Sequence, residues 1–415
     1  MSDKSHNLRI NPERLWSTIM ETAAFGRTEK GGLRRLTLGP EDRQVRDWFR
    51  AACEAAGCTV KVDELGTMYA IRPGRNMSLP PIGCGSHLDT QPTGGKFDGV
   101  LGTLAGLELI RVLNDAGIET EAPIAVINWT NEEGSRFAPA MMASGAYVGD
   151  FDPADILARR DATGKTVAEA LDEIGYRGPE KSGSVPLGAF VELHIEQGPI
   201  LEAEGKTIGV VEGAQGIIWY DGRVVGFESH AGTTPMPLRR DALCALSEIV
   251  LSAERIAREH GPSAVATVGQ ATIANPSRNV IPGEISFTLE FRDPQSETLD
   301  ALDSKIRKAI SEIAERRRVE ITLEQIWRKE PVLFAPEIVE KIEAAAKALG
   351  LSHRRMISGA GHDACNLAKT IPTAMIFVPC KDGISHNELE DATREDCAAG
   401  ANVLLHTVLS LAKVC

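Results

Sequence analysis

The chain of 415 residues lacks the features that mark several classes of protein. No window holds about 18 uninterrupted apolar residues, so we expect no membrane-spanning helix. The opening stretch MSDKSHNLRINPERLW has neither the basic start nor the apolar run of a signal peptide. Acidic residues outnumber basic ones, and the net charge of −13 argues against nucleic acid or an anionic membrane as a partner.

The eight cysteines also lack an arrangement that would give them a special role. None forms a CxxC pair, and most lie in apolar helix or strand patterns. We therefore expect reduced thiols, most of them in the core, in a cytoplasmic protein. The composition, 43% hydrophobic and 25% charged, is typical of a folded globular protein, and the length predicts two or three domains.

Strand and helix patterns alternate from about residue 40 to 150. A helical pattern over 41–57 precedes two short strand patterns, and apolar runs in PPIGCGSHLDT and APIAVINWTNEEGS predict buried strands. This order is typical of an α/β sheet, in which ligands collect beyond the C-terminal ends of the strands. The alternation returns near the C-terminus, with a helix over 336–349, the strand TAMIFVPC and a helix over 393–413.

The pattern between these two parts is different. IIWYDGRVVGFES predicts a hairpin with Asp221 and Gly222 at its turn. Two long helices, two further strands and a last strand, VEITLEQIWRK, complete a compact α+β arrangement of two helices on a four- or five-stranded antiparallel sheet. We therefore predict one discontinuous α/β domain over 1–213 and 331–415, interrupted by a smaller domain over 214–330.

Four segments place histidine or carboxylate at the ends of predicted strands. These residues are His87, Asp89 and Asp98 in GSHLDTQPTGGKFDGVLG, Glu132 and Glu133 in NWTNEEGS, His194 in VELHIEQGP, and His386 in KDGISHNELE. A metal site needs such neutral imidazoles and ionised carboxylates, brought together by the fold. Without Asp89 and Glu132, the remaining five exceed what one catalytic zinc ion takes, which suggests two ions that share a bridging carboxylate. We expect the Asp89 carboxylate to accept the second ring N–H of His87.

Each segment alone has a plainer explanation. A single histidine at a strand end is more often a hydrogen-bonded structural residue, and the adjacent Glu132 and Glu133 are more often part of a solvated loop. The combination of all the segments in one domain favours the metal site.

A series of motifs along the chain resembles those of the dinuclear metallopeptidase-like, M20-type amidohydrolases. In chain order the motifs are HLDTQPTGGKFDGVLG, TNEEGSRF, ELHIEQGP, GTTPMPLRRDAL, NVIPG, LEFRDP, SGAGHDA and GISHNE. They are most similar to the branch that holds N-carbamoyl-L-amino acid hydrolases, β-ureidopropionases and allantoate amidohydrolases. The resemblance covers about residues 10–410. It implies a metallopeptidase-like catalytic domain with a mixed sheet, interrupted by an inserted α+β ferredoxin-like domain for dimerisation and as a lid.

The resemblance also implies roles for the polar residues. One divalent ion would be held by His87 and His194, the other by Glu133 and His386, with Asp98 as the bridge. Glu132 would be the general base, although a carboxylate that only tunes its neighbour is the alternative. Zinc, manganese, cobalt and nickel all suit these donors. The implied reaction converts an N-carbamoyl-L-amino acid to the free amino acid, CO2 and ammonia.

Substrate contacts are implied mainly in the insert. His230 would reach the active site from the partner subunit of a homodimer, as a cationic donor to the oxyanion, and Arg292 would bind the substrate carboxylate through a bidentate fork. The other contacts implied are Gln215, Asn279, Gly359, Ala360 and Gly361. His362 is left open between orienting a metal ligand and capping the following helix. The remaining histidines, His6, His260, His353 and His406, are interpreted as structural.

Several functions stay open at this point. β-Ureidopropionase and allantoate amidohydrolase activities would use the same chemistry, and Arg292 suits the carboxylate of any of these substrates. His194 disfavours a dipeptidase or aminoacylase, because peptidase relatives tend to have a carboxylate there. A non-catalytic binding protein with this fold would be expected to have lost Glu132 or a metal donor, and the chain keeps them all.

Overall fold

The computed structural model describes residues 7–415, which form two compact units. The main unit comprises the described residues up to Gly213 together with Leu333–Cys415, and the insert is Ala214–Val332. The chain therefore leaves the main unit once, forms the insert and returns.

The main unit alternates helices and strands. Its helices before the insert are α1 (Pro12–Thr22), α2 (Pro40–Ala55), α3 (Val100–Asp115), α4 (Met142–Tyr147), α5 (Pro153–Ala158), α6 (Val167–Ile174) and α7 (Ile200–Ala203). The strands of this part are β1 (Thr59–Val62), β2 (Met68–Arg72), β3 (Ile82–His87), β4 (Ile124–Trp129), β5 (Ala189–Ile195) and β6 (Ile208–Ala214).

The rest of the chain adds the insert and the second part of the main unit. The insert contains β7 (Gly216–Val225), β8 (Ser229–His230), α8 (Ala242–His260), β9 (Val265–Thr267), β10 (Ala271–Ile273), β11 (Val280–Ile281), β12 (Glu284–Asp293), α9 (Ser296–Arg317) and β13 (Glu320–Lys329). The remaining elements are β14 (Val332–Leu333), α10 (Pro336–Ala348), β15 (His353–Ser358), α11 (Asp363–Leu367), β16 (Thr373–Val378) and α12 (Arg394–Ala412).

The sheet of the main unit is mixed, with the strand order β1-β2-β4-β3-β5-β16-β6-β14 and β15 beside β6. β3 runs parallel to β4 and β5, and β5 runs parallel to β16. These four central strands are buried along their whole length. Because they run the same way, their C-terminal ends lie at one edge of the sheet, where an α/β fold collects its ligands.

The insert is built on a five-stranded antiparallel sheet with the order β10-β12-β7-β13 and β9 beside β12. Side chains on alternate positions of β7 and β12 pack with α8 and α9 into a separate apolar core, which includes Tyr220 and Phe291. β8 and β11 form a small two-stranded sheet of their own. The predicted fold class, a mixed α/β sheet interrupted by an α+β insert, is confirmed.

The hairpin predicted in the insert is wrong. β7 continues straight through Asp221 and Gly222, which pair with Thr288 and Phe287 of β12. A Cβ atom on Gly222 would lie 2.2 Å from the ring of Phe287, so glycine at this position makes room for an aromatic ring and not for a turn. Between the two long helices of the insert, where two strands are predicted, the structure has four, β9 to β12.

Two further expectations concern thiols and membranes. The eight cysteines are free thiols, and six of them are buried. Among the described residues, 7–415, no helix combines the length and the apolar character needed to span a membrane.

Candidate functional site

The four parallel strands of the main sheet bring the predicted donors to one edge. His87 is the last residue of β3, and His194 is the next to last of β5. Glu133 follows the end of β4, and His386 lies in the loop after β16. Asp98 lies at the end of the loop after β3, two residues before the first residue of α3. Residues that are far apart in sequence therefore converge where the α/β pattern predicts.

Asp98 is buried at the centre of these residues. Its Oδ1 atom lies 3.1 Å from Nε2 of His194 and 3.6 Å from Nε2 of His87. Its Oδ2 atom lies 3.4 Å from Nε2 of His386, and that Nε2 is 3.4 Å from Oε2 of Glu133. A single carboxylate therefore faces two groups of donors with different oxygen atoms. We call them the buried cluster (His87, Asp98, His194) and the open cluster (Asp98, Glu133, His386).

The spacing of the donor atoms fits metal coordination. Around an ion with donor distances of about 2.0–2.2 Å, tetrahedral donors lie about 3.3–3.6 Å apart. The donor pairs measured in both clusters lie between 3.1 and 3.6 Å apart. Imidazole and carboxylate donors without thiolate suit zinc, manganese, cobalt or nickel.

The orientation of the buried imidazoles also fits a cation. Nδ1 of His87 lies 2.9 Å from the main-chain carbonyl of Asp89, and Nδ1 of His194 lies 2.9 Å from the carbonyl of Ile195. A neutral ring that donates from Nδ1 carries its lone pair on Nε2. The lone pair of His87 then faces Asp98 Oδ1, and that of His194 faces both Asp98 Oδ1 and the main-chain N–H of Gly99, which donates to it at 3.1 Å. Where an imidazole lone pair meets a carboxylate oxygen, a cation or a proton is needed between them.

The charged groups of the site stabilise one another. Burial alone would raise the pKa of Asp98, but the imidazoles of His194, His386 and His87 hold it well below its usual range. The hydrogen bond to Asp98 raises the pKa of His386 to about 9. Burial, followed by the charge of Asp98, raises the pKa of Glu133 to about 7. An ion that binds here must therefore displace protons.

Glu132 lies beside the buried cluster. Its Oε2 atom is 3.6 Å from Nε2 of His87. Burial raises the pKa of Glu132 well above its ordinary value, although His87 opposes this shift. The turn that carries Glu132 is shaped by Asn131, which has a left-handed φ of 59° and donates a side-chain hydrogen bond to the carbonyl of Phe137. A buried carboxylate next to a metal site has the position of a general base.

The role predicted for the Asp89 carboxylate differs in the structure. Its nearest oxygen lies 3.9 Å from Nδ1 of His87, because the chain turns so that the main-chain carbonyl of Asp89 reaches the ring first. The carboxylate instead accepts hydrogen bonds from the main-chain N–H groups of Glu132 and Glu133, at 3.3 and 3.4 Å. Asp89 therefore orients His87 with its backbone and the two glutamates with its side chain.

Glu390 holds the loop of Asp98 and was not predicted from the sequence. Its Oε1 atom accepts hydrogen bonds from the main-chain N–H groups of Phe97 and Asp98, at 2.9 and 3.0 Å. The Ser385 hydroxyl lies 2.7 Å from Asp98 Oδ2 and 3.1 Å from Glu390 Oε2. Burial, followed by the charge of Asp98, raises the pKa of Glu390 to about 7. Its one sequence signal is its place in the motif GISHNELE.

Two glutamines in the quoted motifs also contact donors and were not predicted. Gln91 donates to both carboxylate oxygens of Glu133, from its main chain at 3.1 Å and from its side chain at 2.6 Å. The side chain of Gln197 donates to Asp98 Oδ2 at 2.8 Å. Their signals are the motifs HLDTQ and HIEQG, in which each follows a histidine by three or four residues.

A glycine after Asp98 allows the close approach that the site requires. Gly99 has a left-handed φ of 66°, and a Cβ atom there would lie 2.3 Å from the ring of His87. Any other residue would push the imidazole away from Asp98 or strain the backbone. Glycine at this position therefore lets the loop after β3 return Asp98 to the site.

His362 contacts a donor but does not cap a helix. It precedes α11, yet its side chain makes no capping hydrogen bond. Its ring lies edge-on to that of His194, with centroids 4.6 Å apart, and its Nε2 is 3.0 Å from the Ser358 hydroxyl. The adjacent segment of Gly359, Ala360 and Gly361 lies between β15 and α11, and the space beside the Cα of Gly359 is open.

The other histidines described lie outside both clusters. His260, His353 and His406 each have a ring nitrogen within 2.8–3.0 Å of a main-chain carbonyl, which fits the structural role predicted for them. His6 lies outside the described residues.

His230 and Asn279 are brought together in the insert. β8 pairs with β11, and the main-chain N–H of Ala231 donates to the carbonyl of Asn279 at 2.9 Å. Nδ1 of His230 accepts hydrogen bonds from the main-chain N–H groups of Gly232 and Thr233, at 3.0 and 3.2 Å. The ring proton is therefore on Nε2. These hydrogen bonds leave Nε2 as the atom of His230 that can donate to another group.

Gln215 and Arg292 have partners within the insert. The side-chain amide of Gln215 donates to the carbonyl of Ser263 at 3.0 Å. Arg292 donates to Glu290 from both Nε and Nη2, at 3.2 Å each. The substrate roles predicted for these two residues and for His230 and Asn279 stay predictions.

A mixed α/β sheet with two adjacent groups of imidazole and carboxylate donors, and a buried carboxylate beside them, is the arrangement of a dinuclear metallohydrolase. The sequence profile of peptidase family M20/M25/M40 matches residues 83–410, and the chain belongs to this family. Within the family it is an amidohydrolase of the hydantoinase/carbamoylase branch.

Individual relatives span the whole chain. The chain is 47% identical over 414 residues to the N-carbamoyl-L-amino-acid amidohydrolase of Rhizobium meliloti, and the match covers 100% of both proteins. It is 32% identical over 400 residues to the allantoate amidohydrolase of Escherichia coli strain K12, with 95% of this chain and 97% of that protein covered. The crystal structure of an amidase of the hydantoinase/carbamoylase family from Burkholderia multivorans matches with a TM-score of 0.96, at 52% identity, and covers 98% of each chain.

Proposed function

We propose that the protein is a two-metal hydrolase that cleaves the carbamoyl C–N bond of N-carbamoyl-L-amino acids. The observation that carries this proposal is the position of Asp98, whose two oxygen atoms face separate donor clusters next to the buried Glu132. The 47% identical relative from Rhizobium meliloti, which is named for this reaction, supports the substrate class.

The donors in this proposal are His87 and His194 for one ion, Glu133 and His386 for the other, and Asp98 for both. When bound, the ions supply an activated water and polarise the substrate carbonyl. The main-chain carbonyls of Asp89 and Ile195 keep the Nε2 atoms of the buried imidazoles directed at the site. Zinc, manganese, cobalt and nickel are all candidates.

Glu132 performs the proton transfers. It takes a proton from the attacking water and passes it to the leaving nitrogen of the amino acid. Because burial raises its pKa, Glu132 holds this proton readily between the two steps. The carbamate released with the amino acid decomposes to CO2 and ammonia.

Residues of the insert bind the substrate in this proposal. Arg292 binds the carboxylate of the substrate with its forked guanidinium. His230 donates from Nε2 to the oxygen on which negative charge develops. The other contacts are Gln215 and Asn279 of the insert and, in the main unit, Gly359, Ala360 and Gly361.

We further propose a homodimer in which each subunit receives His230 from its partner. The insert exposes several large apolar side chains, and those of Phe227, Met236 and Leu238 are each more than 60% exposed. Apolar side chains of this size are more stable when covered by a protein partner than in water.

Mixing inactive His230→Ala and Glu132→Ala subunits should restore part of the activity. Verified heterodimers without any activity would rule out exchange of His230.

The same site could serve a neighbouring reaction. The 32% identical relative from Escherichia coli is an allantoate amidohydrolase, and allantoate is also a ureido compound with a carboxylate for Arg292. Allantoate and N-carbamoyl-β-alanine are therefore the second candidates.

Ammonia release from a substrate panel tests the proposal. The protein is reconstituted with Mn, Co, Ni or Zn and given N-carbamoyl-L-methionine, its D-enantiomer, N-carbamoyl-β-alanine, allantoate and N-acetyl-L-methionine, with acetate measured for the last. We expect the strongest turnover with the L-carbamoyl compound. Faster turnover of allantoate or N-carbamoyl-β-alanine would make that compound the assigned substrate and leave the proposed hydrolytic chemistry unchanged. No turnover with two ions bound would overturn the proposal.

A further inference from the structure

Arg292 and Glu290 form a two-point ion pair on the open face of the insert sheet. They are two residues apart on β12, so their side chains lie on the same face. Nε of Arg292 donates to Oε1 of Glu290 and Nη2 donates to Oε2, both at 3.2 Å. The two side chains are 28% and 24% exposed. A guanidinium binds the carboxylate of a ligand with this same forked geometry.

Trp219 provides a second partner for the Glu290 carboxylate. It lies opposite Glu290 on the neighbouring strand β7, and its indole Nε1 donates to Oε2 of Glu290 at 2.8 Å. The indole is itself packed against Trp327, with ring centroids 4.8 Å apart. The Glu290 carboxylate therefore keeps a hydrogen bond when the guanidinium turns to another anion.

We propose that Glu290 occupies the position of the substrate carboxylate on Arg292 and competes with it. The proposal rests on the function proposed above, in which Arg292 binds that carboxylate. Because Glu290 is attached to the same strand, its effective concentration beside Arg292 is high and constant. A substrate must therefore displace one carboxylate with another.

This competition makes Glu290 a specificity-determining residue. A substrate with a carboxylate replaces the two hydrogen bonds that Arg292 loses. A neutral analogue cannot replace them, so it binds with the ion pair of Arg292 and Glu290 in place. Glu290 therefore weakens the binding of the carboxylate substrate and narrows its advantage over an uncharged analogue, which leaves the ion pair in place.

A second pair on the same two strands gives a matched control. Arg223 of β7 donates to Oε1 of Glu284, on β12, at 2.8 Å. Glu284 lies on the same face of β12 as Glu290, six residues away. Glu284→Gln therefore removes the same charge from the same face of the sheet without touching Arg292.

The test compares KM for N-carbamoyl-L-methionine and for its carboxamide in the metal-loaded protein. We expect Glu290→Gln to lower KM for the acid about two- to fivefold, the range set by an exposed ion pair, with kcat unchanged. The preference for the acid over the carboxamide should rise, because only the acid competes with Glu290 for Arg292. Glu284→Gln should change none of these values. The dissociation constant of the acid, measured in a Glu132→Gln background, gives the same comparison without turnover.

Arg292→Ala separates this proposal from the proposed function. If Arg292 binds the substrate carboxylate, the variant should raise KM about 10- to 100-fold, the range for hydrogen bonds to a charged group. An unchanged KM would mean that this part of the proposed function is wrong. A raised KM in Arg292→Ala, combined with an unchanged or raised KM in Glu290→Gln, would overturn the competition alone. The double variant should match Arg292→Ala, because Glu290 acts through Arg292.

Discussion

The two donor clusters share Asp98 but differ in how firmly their other donors are held. His87 and His194 are buried, and a main-chain carbonyl fixes the ring of each. His386 has a side chain that is 50% exposed and a left-handed φ of 53° in a loop. Donors that are already fixed lose little freedom when an ion binds, whereas an exposed donor must be ordered. We therefore expect the ion of the open cluster to bind more weakly and to exchange faster.

Adjacent glutamates give the sharpest test of this difference. Glu132 lies beside the buried cluster and Glu133 belongs to the open one. We expect Glu132→Gln to lower kcat about 10²- to 10⁴-fold, because the base is lost, while both ions stay bound. Glu133→Gln should instead lose the ion of the open cluster. Ammonia release and metal analysis by mass spectrometry measure the two effects.

The number of metal ions that each variant binds decides whether these two roles are correct. Loss of one ion in Glu132→Gln would make Glu132 a metal ligand and contradict its role as a base. Two ions in Glu133→Gln would show that the open cluster does not need its own carboxylate.

The donors could be predicted from the sequence because the pattern that places them is simple. Buried apolar runs predict parallel strands, and polar residues directly after such runs meet at one edge of the sheet. His87, Glu133 and His194 follow this rule, and Asp98 follows it through the glycine-rich loop. Which atom contacts which could not be predicted, as Asp89 shows, because the choice between its carbonyl and its carboxylate depends on the local turn.

Long-range contacts were beyond the sequence for a related reason. Glu390 accepts hydrogen bonds from a loop almost 300 residues earlier, and no periodicity marks such a partner. The Asp221-Gly222 pair has the local signal of a turn, but the packing of Phe287 against Gly222 makes it part of a strand. Local preference gives way when tertiary packing requires another conformation.

Replacing one histidine of each cluster by alanine compares the clusters through the free energy of unfolding. In the metal-free protein, His194→Ala removes a buried partner of Asp98 and should cost toward the lower end of about 3–5 kcal/mol in free energy of unfolding, because His87 still compensates the charge. His386→Ala removes a half-exposed partner and should cost less than about 1 kcal/mol. Urea unfolding of both variants measures the difference. Equal losses would mean that the two clusters are equally rigid.

Variants of Glu390 test whether its hydrogen bonds to the loop of Asp98 are needed for metal affinity. Glu390→Ala removes the acceptor of the main-chain N–H groups of Phe97 and Asp98 and should weaken the binding of both ions about 10- to 100-fold. Glu390→Gln keeps an oxygen at this position and should retain most of the affinity. Calorimetric titration with zinc or manganese measures both. An alanine variant with unchanged affinity would show that the loop holds Asp98 without Glu390.

As the pH rises, the open cluster should lower the stability of the metal-free protein but raise its affinity for metal. The pKa of His386 is raised from 6.5 to about 9, and that of Glu133 from 4.5 to about 7. A raised folded-state pKa contributes stability at low pH, so the metal-free protein should lose stability from His386 as the pH rises from 6.5 to about 9. Metal binding must displace the same protons, so affinity should rise over this interval by at most about tenfold per pH unit for each proton released.

His386→Ala removes one of these protons and is the variant that tests this assignment. Its metal-free form should no longer lose stability across the upper part of this interval, and the rise of metal affinity with pH should become shallower there. Unfolding and calorimetric titration at matched pH values measure both slopes. If the slopes of the variant equal those of the unaltered chain, the titrating group is not His386. The titrating group would then have to be sought among the other donors, among which His87 and His194 also exchange a proton for a cation.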